Sequence, residues 1–211
     1  SLKVWAELGF SFDVVSTGMI LSAEQAALVS DFCEQSAKKG ALVFVDPIMG
    51  DEGKLYNGVG EETIAHMRKM VAVADCIVPN YTEAAYLADV PYHEDMTEEE
   101  ARALTIRLHE MGAKSVVVTS AKVDGENCVV GYDGTEGEFF RIPFDLIPVR
   151  FVGTGDIFAA VMLGRLVDGV PLQESTHRAM DAVRTMIDRN RDKEDKYLGI
   201  PIETCLEVLD E

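Results

Sequence analysis

A glycine-rich tetrapeptide with one acidic residue precedes an apolar helical run late in the chain. Gly153-Thr154-Gly155-Asp156 leads directly into Ile-Phe-Ala-Ala-Val-Met-Leu at 157–163. The two glycines let backbone N–H groups converge, and the helix dipole adds positive potential, so the pattern predicts an anion site. Asp156, in the first turn, is placed to take a proton from a hydroxyl that attacks the anion. An ordinary helix N-cap after a turn explains the same residues, and both interpretations stand.

Carboxylates follow an apolar, strand-like run in the first quarter of the chain. The run at 41–45 is Ala-Leu-Val-Phe-Val, and Asp-Pro-Ile-Met-Gly-Asp-Glu-Gly follows it at 46–53. Asp46 and Asp51 are suitable ligands for a hydrated cation such as Mg²⁺, which takes one or two protein carboxylates and completes its shell with water and phosphate oxygens. The same composition is typical of a plain turn, and this alternative stays open.

Two shorter polar motifs follow later strand-like runs. Asn80 and Glu83 belong to Val-Pro-Asn-Tyr-Thr-Glu at 78–83, and Thr119 and Ser120 end an apolar run that begins at 115. Asn-x-x-Glu is itself a capping box, which would explain Asn80 and Glu83 without any ligand. The hydroxyls of Thr119 and Ser120 are suited to phosphate oxygens, although such residues also commonly end strands.

The elements that must position these motifs alternate between strand and helix patterns. Strands are predicted over 12–16, 41–46, 76–78 and 115–120, and helices from Ser22 to Gly40, over 61–70, from about Thr82, from Thr97 to Gly112, over 154–167 and after Pro171. This alternation predicts an α/β fold with an open parallel sheet, and segments 127–132 and 138–142 predict an antiparallel hairpin at its edge. Ligands bind beyond the carboxyl ends of such strands, where we expect every motif above. The first residues look strand-like, and 189–196 look like a solvated loop.

Composition narrows the function classes. The 211 residues carry a formal net charge of −18, which disfavours nucleic acid as a partner because nucleic-acid binders present a basic face. No run is long and apolar enough for a membrane span, and the start lacks a signal-peptide pattern, so we expect a cytoplasmic protein that does not bind membranes. The four dispersed cysteines are predicted to be buried thiols. One domain over 1–211 is the expected organisation.

The motifs and their order resemble the ribokinase-like superfamily and, within it, the pyridoxal/pyridoxamine kinase family. The resemblance covers nearly the whole chain and rests on Thr17-Gly18, DPIMGDEGKLY at 46–56, PNYTE at 79–83, VTS at 118–120 and GTGD at 153–156. The GTGD motif is common to the superfamily and implies a kinase of a hydroxymethyl group. The longer string at 46–56 is typical of fewer families than the GTGD motif, and its resemblance is to vitamin B6 kinases. The implied fold is a three-layer α/β/α arrangement around a mostly parallel sheet.

The resemblance implies roles for the GTGD residues. Asp156 would be the general base that deprotonates the substrate hydroxymethyl group. Gly153, Thr154 and Gly155 would supply the backbone anion hole for the phosphoryl group in flight.

The remaining motif residues would serve ATP and its metal. Asp51 and Glu83 would organise Mg²⁺, and Asp46 and Asn80 would support the metal and phosphate network. Thr119 and Ser120 would contact the ATP phosphates. A monovalent cation such as K⁺, ATP as co-substrate, a B6 vitamer as acceptor and a homodimer are further expectations from the family.

Two departures from the family keep alternatives open. Met19 stands where many B6 kinases have Tyr after Thr-Gly, and about seventy N-terminal residues of the family pattern have no counterpart, so we expect an N-terminally incomplete kinase domain. A hydroxymethylpyrimidine kinase of the same superfamily is the alternative among enzymes. A non-catalytic module that binds nucleotide or B6 is the alternative outside them.

Overall fold

A mixed β-sheet and the helices between its strands make up most of the protein. The computed structural model describes residues 2–209. Its strands are β1 (Val14–Thr17), β2 (Leu42–Val45), β3 (Gly50–Asp51), β4 (Lys54–Leu55), β5 (Cys76–Ile77), β6 (Ser115–Val123), β7 (Glu126–Asp133) and β8 (Glu138–Pro143). Its helices are α1 (Leu2–Glu7), α2 (Ala23–Ala37), α3 (Glu61–Val71), α4 (Tyr81–Ala88), α5 (Glu98–Glu110), α6 (Thr154–Val167) and α7 (Leu172–Asn190), followed by 3-10 turns at Ile202–Thr204 and Leu206–Leu209.

The six-stranded sheet has the order β1-β2-β5-β6-β7-β8. Its first three pairings are parallel, and the β6–β7 and β7–β8 pairings are antiparallel. The sequence-based prediction of an α/β fold with a parallel sheet and an antiparallel edge is therefore confirmed. The antiparallel edge is wider than predicted, because β6 turns back into β7 at Asp124-Gly125 before the predicted hairpin begins.

The parallel strands are apolar because they are buried. Val43, Val45, Ile77 and Val116 have no exposed surface, which matches the continuous apolar runs expected of strands covered on both faces. The four cysteines are buried thiols without disulfides, as predicted. Within the described residues, no helix has the length and apolar character needed to cross a bilayer.

The helix starts follow the predicted caps. The Ser22 side chain accepts a hydrogen bond from the Gln25 N–H and begins α2. Thr97 and Glu100 form a complete capping box at the start of α5. Such caps satisfy N–H groups that have no partner within the helix, which is why short polar patterns located these boundaries well.

The chain separates into two compact units, Ser1–Pro143 and Phe144–Glu211. The first contains the sheet and α1 to α5. The second contains α6, α7 and the 3-10 turns around its own buried cluster, which includes Phe151, Ile157 and Met186. The single domain over 1–211 stays a prediction.

The structure corrects four local predictions. Residues 2–7 form α1 rather than a strand-like segment, and Trp5 contacts the rings of Phe12 and Phe32. Residues 189 and 190 of the predicted loop belong to α7, and Asn190 is buried. Residues 50–55 form the hairpin β3–β4, which no apolar run signalled. The GTGD motif does not directly follow a strand, because β8 ends at Pro143 and α6 begins at Thr154.

Candidate functional site

The Asp51 motif folds into a two-residue hairpin. Asp51 pairs with Lys54 across the turn, and the two turn residues, Glu52 and Gly53, have φ angles of 51° and 77°. Both angles lie in the left-handed region, as a type I′ turn requires. Gly50 is needed for the close approach of the strands, because a Cβ there would lie 2.4 Å from the Lys54 carbonyl oxygen. Local backbone geometry thus gives the turn its type, and Asp51 directly precedes that turn.

Glu83 holds this hairpin from the start of α4. One carboxylate oxygen accepts hydrogen bonds from the N–H groups of Met49 (2.7 Å) and Gly50 (3.4 Å), and the other accepts from the N–H of Asn80 (2.9 Å). The side chain is 3% exposed. Both oxygens of this buried carboxylate are therefore engaged by backbone amides.

Asn80 has a similar double role. Its Oδ1 accepts from the Glu83 N–H at 3.0 Å, which completes the capping box, and its Nδ2 donates to the Gly50 carbonyl at 2.7 Å. The capping interpretation of Asn-x-x-Glu is confirmed. The same two side chains also bind the loop that carries Asp51, which a cap alone does not require.

The negative charges of Glu83 and Asp51 favour a cation beside the hairpin. Burial raises the pKa of Glu83, its hydrogen bonds from the amides of Met49, Asn80 and Gly50 oppose that shift, and the charge of nearby Asp51 adds to it. Two neighbouring carboxylates suit a hard divalent ion, and Mg²⁺ needs only one or two of them. Asp51 and Asp46 are both partly exposed, and Asp51 Oδ1 accepts a hydrogen bond from the Glu52 N–H at 2.9 Å. Glu83 is buried and is held by three amides. No group of three or more His, Cys, Asp or Glu in residues 2–209 has metal-binding geometry.

A β-bulge brings Thr119 and Ser120 to the same place. The β6–β7 register shifts between Val118 and Ala121, and Ser120 adopts a φ of 54°. The Thr119 N–H donates to the Pro79 carbonyl at 3.0 Å, and Thr119 forms a parallel bridge with Asn80. Bulges often redirect side chains near functional sites. The structure therefore joins Thr119 to the residues that begin α4, and Ser120 is exposed beside it.

Asp46 lies at the end of β2, next to the end of β1. Its N–H donates to the Thr17 carbonyl at 3.1 Å, which extends the pairing of the two strands by one residue. Two residues later, Ile48 has a φ of 42°, an uncommon conformation for a β-branched residue. Its Cδ1 would lie 3.1 Å from a Cβ at Gly18, so the loops after β1 and β2 touch where position 18 has no side chain.

The GTGD residues form the start of α6 in the second unit. Gly153 is the N-cap, with a φ of 84°, and its carbonyl accepts from the Ile157 N–H at 3.1 Å. Asp156 lies in the first turn and is exposed, and a Cβ at Gly155 would meet no heavy atom within 4 Å. The motif thus presents a helix N-terminus and an exposed carboxylate, which suits an anion and a proton transfer.

Sequence reasoning missed Thr82 in the first unit. Its hydroxyl accepts a hydrogen bond from the Gly53 N–H at 2.8 Å, and the residue is 3% exposed. The sequence could have indicated Thr82, because this threonine lies between Asn80 and Glu83 in the motif at 79–83. A polar side chain buried in the first turn of a helix needs a partner, and here the partner is the hairpin.

Comparison with known proteins gives a consistent family. The family model described as phosphomethylpyrimidine kinase matches residues 6–199. A pyridoxal kinase of Arabidopsis thaliana is 32% identical over 171 residues, covering 77% of this chain and 53% of the relative. A pyridoxal kinase of Sus scrofa is 34% identical, covering 72% of this chain and 52% of the relative. The chain spans about half the length of these curated relatives.

Solved structures agree with the sequence comparisons. One is a Bacteroides thetaiotaomicron protein that is described as a phosphomethylpyrimidine kinase and was crystallised with pyridoxal. Its TM-score to this chain is 0.93 at 32% sequence identity, and the match covers 100% of this chain and 75% of that protein.

Proposed function

The chain belongs to the phosphomethylpyrimidine kinase family, and from this premise we propose that it phosphorylates the 5′-hydroxymethyl group of pyridoxal, pyridoxine or pyridoxamine with ATP. The observation that carries the choice of vitamin B6 is the string DPIMGDEGKLY at 46–56, and the similarity to the pyridoxal kinases of Arabidopsis thaliana and Sus scrofa supports it. The relative crystallised with pyridoxal supports the same acceptor.

In the proposed reaction, Asp156 takes the proton of the substrate hydroxyl as its oxygen attacks the γ-phosphorus of ATP. The new O–P bond forms while the bond to the β-phosphate bridging oxygen breaks, and ADP leaves. The N–H groups of Gly153, Thr154 and Gly155 donate to the phosphoryl oxygens, where charge is greatest. The hydroxyls of Thr119 and Ser120 would bind the ATP phosphates. Positioning supplies most of the remaining rate enhancement.

Asp51 would hold Mg²⁺, which neutralises phosphate charge when it is bound, and Asp46 would support the metal and phosphate network. Asn80 and Glu83 support this arrangement through their hydrogen bonds to Met49 and Gly50. Metal binding by Glu83 itself stays a prediction from the family resemblance. A monovalent cation such as K⁺, a homodimer and a cytoplasmic location belong to the same proposal, again by resemblance.

The test is ADP release by the full chain with ATP, Mg²⁺ and a panel of acceptors at equal concentrations. We expect turnover with pyridoxal, pyridoxine or pyridoxamine. A clear preference for hydroxymethylpyrimidine would instead support the alternative that the family description names. Binding of ATP or pyridoxal by calorimetry without any turnover would contradict the proposal and support a non-catalytic binding module.

A further inference from the structure

The start of α4 binds the hairpin through three side chains, which make four hydrogen bonds. Asn80 bonds the Gly50 carbonyl, Glu83 bonds the amides of Met49 and Gly50, and Thr82 bonds the amide of Gly53. The first two side chains hold the strand that leads to Asp51. Thr82 holds the turn that follows Asp51 through the Gly53 N–H, so its hydroxyl fastens the hairpin on the other side of the carboxylate.

The Gly53 amide needs this partner. Asp51 pairs with Lys54 across the two-residue turn, and this pairing leaves the Gly53 N–H outside the strand ladder. The ring of Tyr92 covers the turn on one side, so close that a Cβ at Gly53 would lie 2.9 Å from it. The centroid of the Tyr92 ring is 4.9 Å from that of Tyr81. A covered N–H without an acceptor is costly, so the Thr82 oxygen determines where the turn settles.

We propose that Thr82 is a positioning residue: its hydroxyl fixes the β3–β4 turn and thereby places Asp51 for the cation that accompanies the nucleotide. This inference rests on the proposed function, in which Asp51 holds Mg²⁺. Thr82 acts through Gly53, two residues after Asp51, and its oxygen is engaged with that amide at 2.8 Å. Its effect on cation binding is therefore indirect.

The experiment compares three variants of the full chain. Thr82→Val keeps the shape of the side chain and removes the acceptor, and Thr82→Ser restores the hydroxyl. Thr105→Val is the matched control, because Thr105 is a buried threonine whose hydroxyl donates only to Arg102 within its own helix. Amide exchange at Gly53 is followed by NMR in the metal-free protein, and Mn²⁺ affinity in the presence of ADP is measured by electron paramagnetic resonance.

We expect Thr82→Val to accelerate Gly53 exchange and to weaken Mn²⁺ binding by about fivefold, the lower end of the range for a donor that loses its acceptor, because Gly53 is only partly buried. Thr82→Ser should recover both values, and Thr105→Val should change neither. Faster Gly53 exchange with unchanged Mn²⁺ affinity would overturn the proposal, because the hydroxyl would then serve only the fold. An equal loss of Mn²⁺ affinity in Thr105→Val would overturn it as well.

Failure of the proposed function is separable from failure of this inference. If the wild-type chain binds no Mn²⁺ with ADP, the proposed metal role of Asp51 is wrong. The placement of Asp51 is then judged from its NMR resonances without metal. Resonances displaced in Thr82→Val and restored in Thr82→Ser support the positioning role, and resonances that do not move contradict it.

Discussion

Asn80 and Glu83 show how one side chain serves a helix cap and a site at once. A capping box explains both residue types, and the structure contains that box. Each side chain nevertheless has a second partner in the loop before Asp51, at 2.7 Å in both cases. The cap and the loop are therefore coupled through the same two side chains, each of which uses one polar atom for the cap and the other for the loop, so a variant at either residue disturbs both.

The proposed base can be tested by Asp156→Asn, which keeps the size of the side chain and removes its basicity. We expect ADP release to fall by about 10²- to 10⁴-fold, the usual contribution of a general base, with little change in nucleotide affinity. Asp168→Asn, an exposed C-cap of the same helix, is the control and should retain activity. Full activity in Asp156→Asn, measured by coupled ADP assay, would contradict the assignment.

Glu83→Gln tests the buried carboxylate through its pH dependence. Gln retains an acceptor for Met49 but turns an amide N–H toward the Asn80 N–H, which leaves a partly buried donor unsatisfied and costs about 1 kcal/mol. Because the pKa of Glu83 is raised above its ordinary 4.5, the wild type loses stability as pH rises through the folded-state pKa. The deficit of Glu83→Gln should therefore shrink with rising pH.

Glu100→Gln should show the opposite dependence of stability on pH. Glu100 holds the same capping-box position in α5, but its hydrogen bonds from Thr97 lower its pKa. The wild-type advantage over Glu100→Gln should therefore grow as pH rises through the carboxyl range and vanish in acid. Urea denaturation of the wild type and both variants over about pH 3 to 8 checks both trends. Deficits that move in the same direction with pH would show that one pKa direction is wrong.

Sequence patterns predicted those helices and strands whose positions depend on neighbouring residues alone. The buried parallel strands β2 and β5 and the capped starts of α2 and α5 follow from apolar runs and polar caps. The hairpin β3–β4 and the bulge after Val118 were not predictable in this way, because each depends on left-handed backbone angles at Glu52 or Ser120. Non-glycine residues give little sequence signal for that conformation.

The antiparallel edge offers a test of close packing between elements. A Cβ at Gly131 of β7 would lie 2.2 Å from the ring of Phe140, its partner on β8. We expect Gly131→Ala to destabilise the protein by about 1–3 kcal/mol through overpacking. Gly164→Ala in α6 is the matched control, since nothing lies within 4 Å there, and it should stabilise by about 0.5–1 kcal/mol. Equal effects of the two variants in urea denaturation would contradict this packing argument.

For the whole molecule, charge limits how a polyanion can be bound. The net charge of −18 disfavours ATP at long range, and the residues proposed to bind phosphate are backbone amides and the hydroxyls of Thr119 and Ser120. This much was predictable from composition and motif type. The hydrogen bonds by which Thr82 and Glu83 hold the hairpin were not, because they join residues about thirty positions apart and leave no local pattern.

The salt dependence of nucleotide binding follows from this charge distribution. Phosphates that bind to neutral amides, hydroxyls and one cation displace few counterions. Added salt also screens the repulsion between the acidic protein and the phosphates at separations beyond about 10 Å at 0.1 M. We expect the affinity for ADP with Mg²⁺ to stay constant or to tighten as NaCl increases, measured by calorimetry. Adenosine, which has no charge, is titrated in the same buffers to remove general salt effects. Tenfold weaker ADP binding across the series, with adenosine unchanged, would show that lysines or arginines hold the phosphates instead.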